Sequence, residues 1–311
     1  MNIINSVVTL LLSLGFLARA TPSLADSQNI PVEFVDNRIF AKVSFNHVEA
    51  SLLLDTGGNT GIYPEFAYYW KTGDSKVEKG FLKFGSLSPF KNFPFDVLQG
   101  EWIRVMPENE EAAVMRKVMC DGVFGHGWFG RRIWRFNYKN EQLVLLDSSK
   151  DVLGEPVDLG LKASTPHAYY YCPRFEIDVS GSKLQMLFDT GATSFLSAEA
   201  VKTLGLKNAF SASNFVRESV FDVWRAKNPD WRVIEGGDRF GRQALIEVPE
   251  ITVAGKKVGP VWFARRPNIA YDEMMAGVMD CKCDGAIGGP VFSKFRSVTI
   301  DYVSKKAWFE H

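Results

Sequence analysis

No surplus of charge runs through this chain. Its 36 lysines and arginines are matched by 36 aspartates and glutamates. That balance removes the electrostatic basis for nucleic-acid binding, because phosphate contact relies on excess Lys and Arg. The basic run Arg131-Arg132-Ile133-Trp134-Arg135 reads as a solvated loop or strand edge. Histidine is scarce: His47, His126, His167 and His311 are scattered, with neither metal-ligand nor triad spacing. There is no HExxH, no P-loop and no GxSxG. The four cysteines, Cys120, Cys172, Cys281 and Cys283, have no nearby histidine to complete a tetrahedral metal set. They read as structural cysteines or as including one disulfide through Cys172, with the pairing left open. No metal and no other cofactor is expected.

Long apolar runs are also missing beyond the N-terminus. Val7 to Leu17 is too short to span a bilayer, and small-residue patterns follow at Ala18-Arg19-Ala20 and Ser23-Leu24-Ala25. Residues 1–25 therefore read as a secretory signal, although the segment before Val7 has no Lys or Arg. The expected location is exported, periplasmic or secreted, with no stable membrane span.

One apparent motif fails on context. Gly125-His126-Gly127-Trp128-Phe129-Gly130 spells the dinucleotide pattern GxGxxG. That loop should open a long helix within a βαβ unit. Here Arg131 to Leu145 reads as strand pairs, and the equivalent stretch beyond Gly288 lacks the pattern.

What the chain does have is a repeat. Asp55-Thr56-Gly57 follows Leu52-Leu53-Leu54, and Asp189-Thr190-Gly191 follows Met186-Leu187-Phe188. Each reads as the end of a buried strand passing into a tight Gly turn. Upstream, Val43 to Ser51 lies opposite Ile177 to Gln185, each a hairpin delivering its Asp. Downstream, Pro64 and Ala198 both lie nine positions after their Asp and open short helical stretches, Ser197 being an N-cap candidate. Cys120-Asp121-Gly122-Val123-Phe124-Gly125 matches Cys283-Asp284-Gly285-Ala286-Ile287-Gly288, and each block precedes a closing strand pair.

The triplet aspartates, 55 and 189, are 134 positions apart; those of the Asp-Gly blocks, 121 and 284, are 163 apart. The second copy therefore holds 29 more residues between its motifs. An expected helix over Asn214 to Lys227, with Val216, Val220, Val223 and Trp224 on one face and Pro229 as stop, supplies part of them. With 46% apolar and 13% aromatic residues, there is material for two cores. Strand-rich halves with frequent Gly turns indicate a mostly β fold with a few short helices.

With nucleophilic and metal chemistry unsupported, paired-carboxylate chemistry remains. On Asp55-Thr56-Gly57-Gly58-Asn59-Thr60, Asp189-Thr190-Gly191-Ala192-Thr193-Ser194, Val123-Phe124-Gly125 and Ala286-Ile287-Gly288, the chain resembles an aspartic peptidase of the pepsin and retropepsin superfamily. The resemblance spans most of residues 32–311. Its flavour is that of bacterial-type exported proteins with two fused retropepsin-like halves. It implies a bilobal acid-protease fold with pseudo-twofold internal duplication: one lobe over 30–150, a second over 160–311, and a helical insertion near 207–235. Asp55 and Asp189 would act jointly on a peptide or protein substrate, and one chain would suffice as a monomer.

The resemblance further implies that Thr56 and Thr190 brace the dyad through reciprocal hydrogen bonds. Gly57 and Gly191 would let backbone N–H groups approach the carboxylates. Val123 and Ala286 would line subsites, and a Gly-rich flap would cover the cleft. The flap candidates are Trp231 to Arg242, with Gly236 and Gly237, and Trp70 to Gly80. Pepsins usually carry a hydroxyl residue after each triplet, whereas this chain has Gly58 and Ala192. Losing two donors to the charged form should raise the carboxyl pKa values and move the optimum toward mildly acidic pH. The alternative is a noncatalytic peptide- or protein-binding module on the same scaffold, which usually shows a damaged triplet; here both are intact.

Overall fold

A computed structural model of the chain describes residues 27–45, 48–62, 76–78, 81–83, 102–105, 116–118, 120–165 and 168–311. The leader at 1–25, the helix expected at Pro64 and all but 76–78 of the Trp70 to Gly80 flap candidate lie outside the described residues.

The protein is mostly β and bilobal, and its two halves thread the same path. In the first, the strands Arg38–Phe45 and Val48–Leu54 form a hairpin ending at Asp55. The second strand pairs in parallel with Gly122–Phe124, placing Leu54 beside Phe124. Gly122–Phe124 in turn pairs antiparallel with Gly61–Ile62, so the chain crosses from one side of that strand to the other through the Asp55 turn. In the second half Arg174–Val179 and Ser182–Phe188 form the hairpin, Gly285–Ile287 is the parallel partner, and Phe215–Arg217 lies beyond it. A continuous apolar run matches the burial: Met186, Leu187 and Phe188 are all enclosed because this strand is central, flanked on both sides.

A six-stranded sheet joins the halves. Its order is Gln28–Ile30, Gln142–Leu146, Ile133–Asn137, Ser297–Asp301, Lys306–Glu310, Val157–Asp158. The closing hairpin of one half thus pairs with that of the other, Ile133 opposite Asp301. Aromatic side chains continue the junction into the core. Phe136 meets Phe188 with ring centroids 6.0 Å apart, and Phe188 stacks on Phe292 at 4.1 Å. Each fully buried Phe contributes about 2–3 kcal/mol. Phe188 immediately precedes Asp189, so the interlobe core fixes the strand end that carries that carboxyl.

Two expectations about the extra residues need correction. Phe215–Arg217 is a strand, and the helix runs only over Glu218–Lys227. Val216 is buried through strand pairing with Gly285 and Arg265 rather than on a helix face. The helix buries Phe221 and Trp224, while Val223 is 48% exposed.

The insertion also starts earlier than 207. Thr60 Oγ1 accepts from Gly125 N at 3.0 Å, and Asn214 Oδ1 accepts from Gly288 N at 2.9 Å, which makes Thr60 and Asn214 equivalent. Thr60 lies 5 positions after Asp55 and Asn214 lies 25 after Asp189, so 20 of the 29 extra residues precede Asn214. They fold as the strands Thr193–Phe195 and Phe210–Ala212, paired antiparallel, with the helix Ala198–Leu204 between. The helix opening at Ala198 thus belongs to the insertion. Asn208 donates to Asp36 and Ala212 N to the Asp36 carbonyl at 3.4 Å, so the insertion braces the first half.

Ser197 caps that helix as expected, its Oγ accepting from Ala200 N at 3.2 Å, and Gly205, left-handed at φ +67, ends it. Ser197→Ala should cost about 1 kcal/mol in urea unfolding. All four cysteines are free thiols, so no disulfide involves Cys172. No helix among the described residues is long and apolar enough to cross a membrane.

Candidate active site

The two parallel strand pairs end at the same place, facing each other. Asp55 N donates to Phe124 O and Asp189 N to Ile287 O, both at 2.9 Å, which holds each aspartate at the strand exit. Within each turn the Gly amide reaches back to the carboxyl: Gly57 N to Asp55 Oδ1 at 2.9 Å, Gly191 N to Asp189 Oδ1 at 3.0 Å. Ala192 N donates to the backbone carbonyl of Asp189 at 3.4 Å. Asp55 and Asp189 share a hydrogen bond with each other. The approach demands glycine. A Cβ on Gly191 would lie 2.3 Å from Asp55 Cγ, and one on Gly57 would lie 2.9 Å from Asp189 Cγ.

Beneath the carboxyls the threonines interlock. Thr56 N donates to Thr190 Oγ1 at 3.2 Å, and Thr190 N donates to Thr56 Oγ1 at 3.1 Å. Each hydroxyl then donates across the interface, Thr56 Oγ1 to Phe188 O at 2.6 Å and Thr190 Oγ1 to Leu54 O at 2.8 Å. Both threonines are fully buried. Every polar group of the network has a partner, as a buried site requires.

Burial sets the electrostatics. It is the first cause that raises the Asp55 carboxyl above its ordinary range, against the hydrogen bonds from Asp189 and the Gly57 and Gly58 amides. Asp189 is held well above that range by burial and then by the neighbouring Asp55 charge. Two like charges at hydrogen-bond distance cannot both ionise cheaply, so the pair keeps one proton, and its titration belongs to both residues. A carboxyl pair in this state can take a proton from water with one member while donating one with the other.

No protein-family model matches the sequence, and no curated protein matches it. Among solved structures, the chain is similar to an aspartic proteinase from Irpex lacteus. The two are 11% identical over 91% of this chain and 96% of that one, with a TM-score of 0.46. It is also similar to basic 7S globulin from soybean, 8% identical over 92% and 95% of the two chains, with a TM-score of 0.40. Likenesses this distant say nothing of activity.

The remaining expected site residues fall elsewhere. Val123 is buried against Phe40 and Leu53, and Ala286 packs with Leu187 and Tyr271. Neither side chain opens onto a cleft, because each sits on the middle strand of its turn. Gly236 and Gly237 lie in the hairpin Val233–Asp238 and Gln243–Val248. A Cβ on Gly236 would meet nothing within 4 Å, and one on Gly237 would lie 2.4 Å from the Leu245 side chain. The end of this hairpin is pinned to the insertion. Ser197 N donates to Gly237 O at 2.8 Å, Arg239 N donates to Phe195 O at 2.6 Å, and buried Asp238 pairs with Arg266 at 2.7 Å.

Three residues near the dyad carried no sequence signal of their own. Cys172 Sγ lies 3.7 Å from Gly57 O, its thiol pushed up by burial and then by the two aspartates. Asn59 and His126 meet beside the Asp55 turn, Nε2 to Oδ1 at 3.0 Å. The available clue was position: Asn59 is four residues past Asp55, and His126 directly follows Gly125.

Gly58 explains the missing hydroxyl in steric terms. A Cβ there would lie 2.3 Å from Asp55 Oδ2, so any side chain must displace the carboxyl or the turn. Gly58→Ala should cost about 1–3 kcal/mol in urea unfolding, as overpacking of a tight site does. An unchanged unfolding free energy would show that the turn relaxes freely.

Proposed function

We propose that this chain is an aspartic endopeptidase that hydrolyses peptide bonds with water activated between Asp55 and Asp189. The observation that carries the reading is the pair itself: two half-buried carboxyls delivered by equivalent turns to within hydrogen-bond reach of each other, over a threonine network that links the two turns. The ionised member takes a proton from a water between them, and the water oxygen attacks the scissile carbonyl carbon. The protonated member gives its proton to the carbonyl oxygen, which balances the developing charge. Collapse of the tetrahedral diol breaks the C–N bond, the leaving nitrogen takes a proton, and the pair again holds one. Thr56 and Thr190 support the geometry without touching the reacting atoms.

The substrate is a peptide or protein, and one chain carries both aspartates, so a monomer suffices. Export belongs to the same proposal, on the strength of the leader sequence. Incubation of the mature chain with a mixed peptide library between pH 3 and 8, read by mass spectrometry, tests the reading. Cleavage at defined bonds supports it. Retention of peptides without cleavage at any pH favours a binding module.

A further inference from the structure

The two catalytic-type turns are not held in the same way. In the Asp189 turn Thr193 Oγ1 donates to Gly191 O at 2.9 Å, and Ala192 O, the counterpart of Gly58 O, accepts from Ser213 N at 2.9 Å. The Asp55 turn is held from outside, by the residue that follows Gly125. His126 N donates to Gly58 O at 2.8 Å, while its ring Nε2 meets Asn59 Oδ1 at 3.0 Å. The turn rests directly on Gly125, where a Cβ would lie 2.3 Å from Gly58 O. The equivalent of His126 in the second half is Gly289, which has no side chain to offer. A ring therefore clamps one turn only.

We propose that His126 is the positioning residue of the Asp55 turn, and that it works as the neutral imidazole with its Nε2 proton on Asn59. Its catalytic meaning rests on the peptidase reading; the clamp itself does not. The other nitrogen decides the protonation state. Nδ1 is sealed from solvent and has no hydrogen-bond partner among the described residues. A second ring proton would be buried there without an acceptor, at a cost that grows with the charge it carries. No charged group adds to or offsets the effect of burial on the ring. Burial alone lowers His126 from 6.5 to about 4.

A histidine lowered in the folded state stabilises the fold above its unfolded pKa, and that stabilisation is lost as pH falls from about 6.5 toward about 4. The clamp thus weakens in acid. Replacing Asn59 with a carboxylate should reverse this, because an ion pair favours imidazolium.

The test is a histidine NMR titration of the full chain, which needs no cleavage. The His126 ring is assigned through its backbone or by its absence from His126→Gln. The expected result is a ring that titrates near pH 4 in the wild type and about one unit or more higher in Asn59→Asp. Asn59→Ala should lower kcat about tenfold with KM unchanged, as loss of positioning requires. A wild-type His126 that titrates at 6.5 or above, or one unmoved by Asn59→Asp, overturns the proposal. Absence of cleavage by the wild type would sink the peptidase reading and leave the titration result standing.

Discussion

Replacing either aspartate by asparagine should lower kcat by about 1,000-fold or more while making the protein more stable at neutral pH. The rate loss follows from the shared proton. An amide at position 55 or 189 can neither accept the water proton nor hand one to the carbonyl oxygen, and general acid–base steps are worth about 10²–10⁴-fold. The stability gain follows from linkage. Both carboxyls are raised in the folded state, chiefly by burial. Such groups stabilise the fold below their unfolded pKa and give that stabilisation up as pH rises through the folded value. Removing one of the two removes the repulsion that accumulates toward neutrality. Urea unfolding at pH 4 and 7 should show the variant gaining on the wild type at the higher pH. A variant with wild-type kcat would contradict the catalytic role; a loss of stability at pH 7 would contradict the electrostatics.

Thr190→Val should have the largest effect on stability, about 4 kcal/mol. Valine keeps the shape but removes the hydroxyl that accepts from Thr56 N and donates to Leu54 O. Both groups would stay buried without partners, at about 1–3 kcal/mol each. Thr56→Val should behave alike, stranding Thr190 N and Phe188 O. Since these bonds cross between halves, the loss falls on the interface that aligns the carboxyls, and kcat should drop with it. A change below about 1 kcal/mol in the unfolding free energy would show that the network is relieved by water or by local rearrangement.

The parts of the site that could be read from sequence are those built locally. Asp55, Thr56, Gly57 and their counterparts sit where an apolar strand meets a glycine turn, and the pattern repeats. The threonine cross-links needed the family resemblance, because nothing in the triplet itself says that its hydroxyl reaches Phe188 or Leu54. Other features depended on distant pairing. Pro64 and Ala198 stand at equal distances from their aspartates, yet only the pairing of Gly61–Ile62 and Phe215–Arg217 with equivalent strands shows that Ala198 lies in an insertion. Val216 matched a helical phase but was drawn into the sheet beside Gly285. Val123 and Ala286 are apolar because they are core, which an apolar motif cannot distinguish from a subsite. His126 read as an isolated histidine because its partner lies 67 positions away.

The most direct test of the central claim is the pH profile of kcat/KM for one peptide selected from the library. A single-proton carboxyl pair should give a bell-shaped curve peaking at mildly acidic pH, both limbs reporting the free-enzyme pair. Folded protein that cleaves nothing across the range, or a rate with no pH-dependent limb, would contradict it.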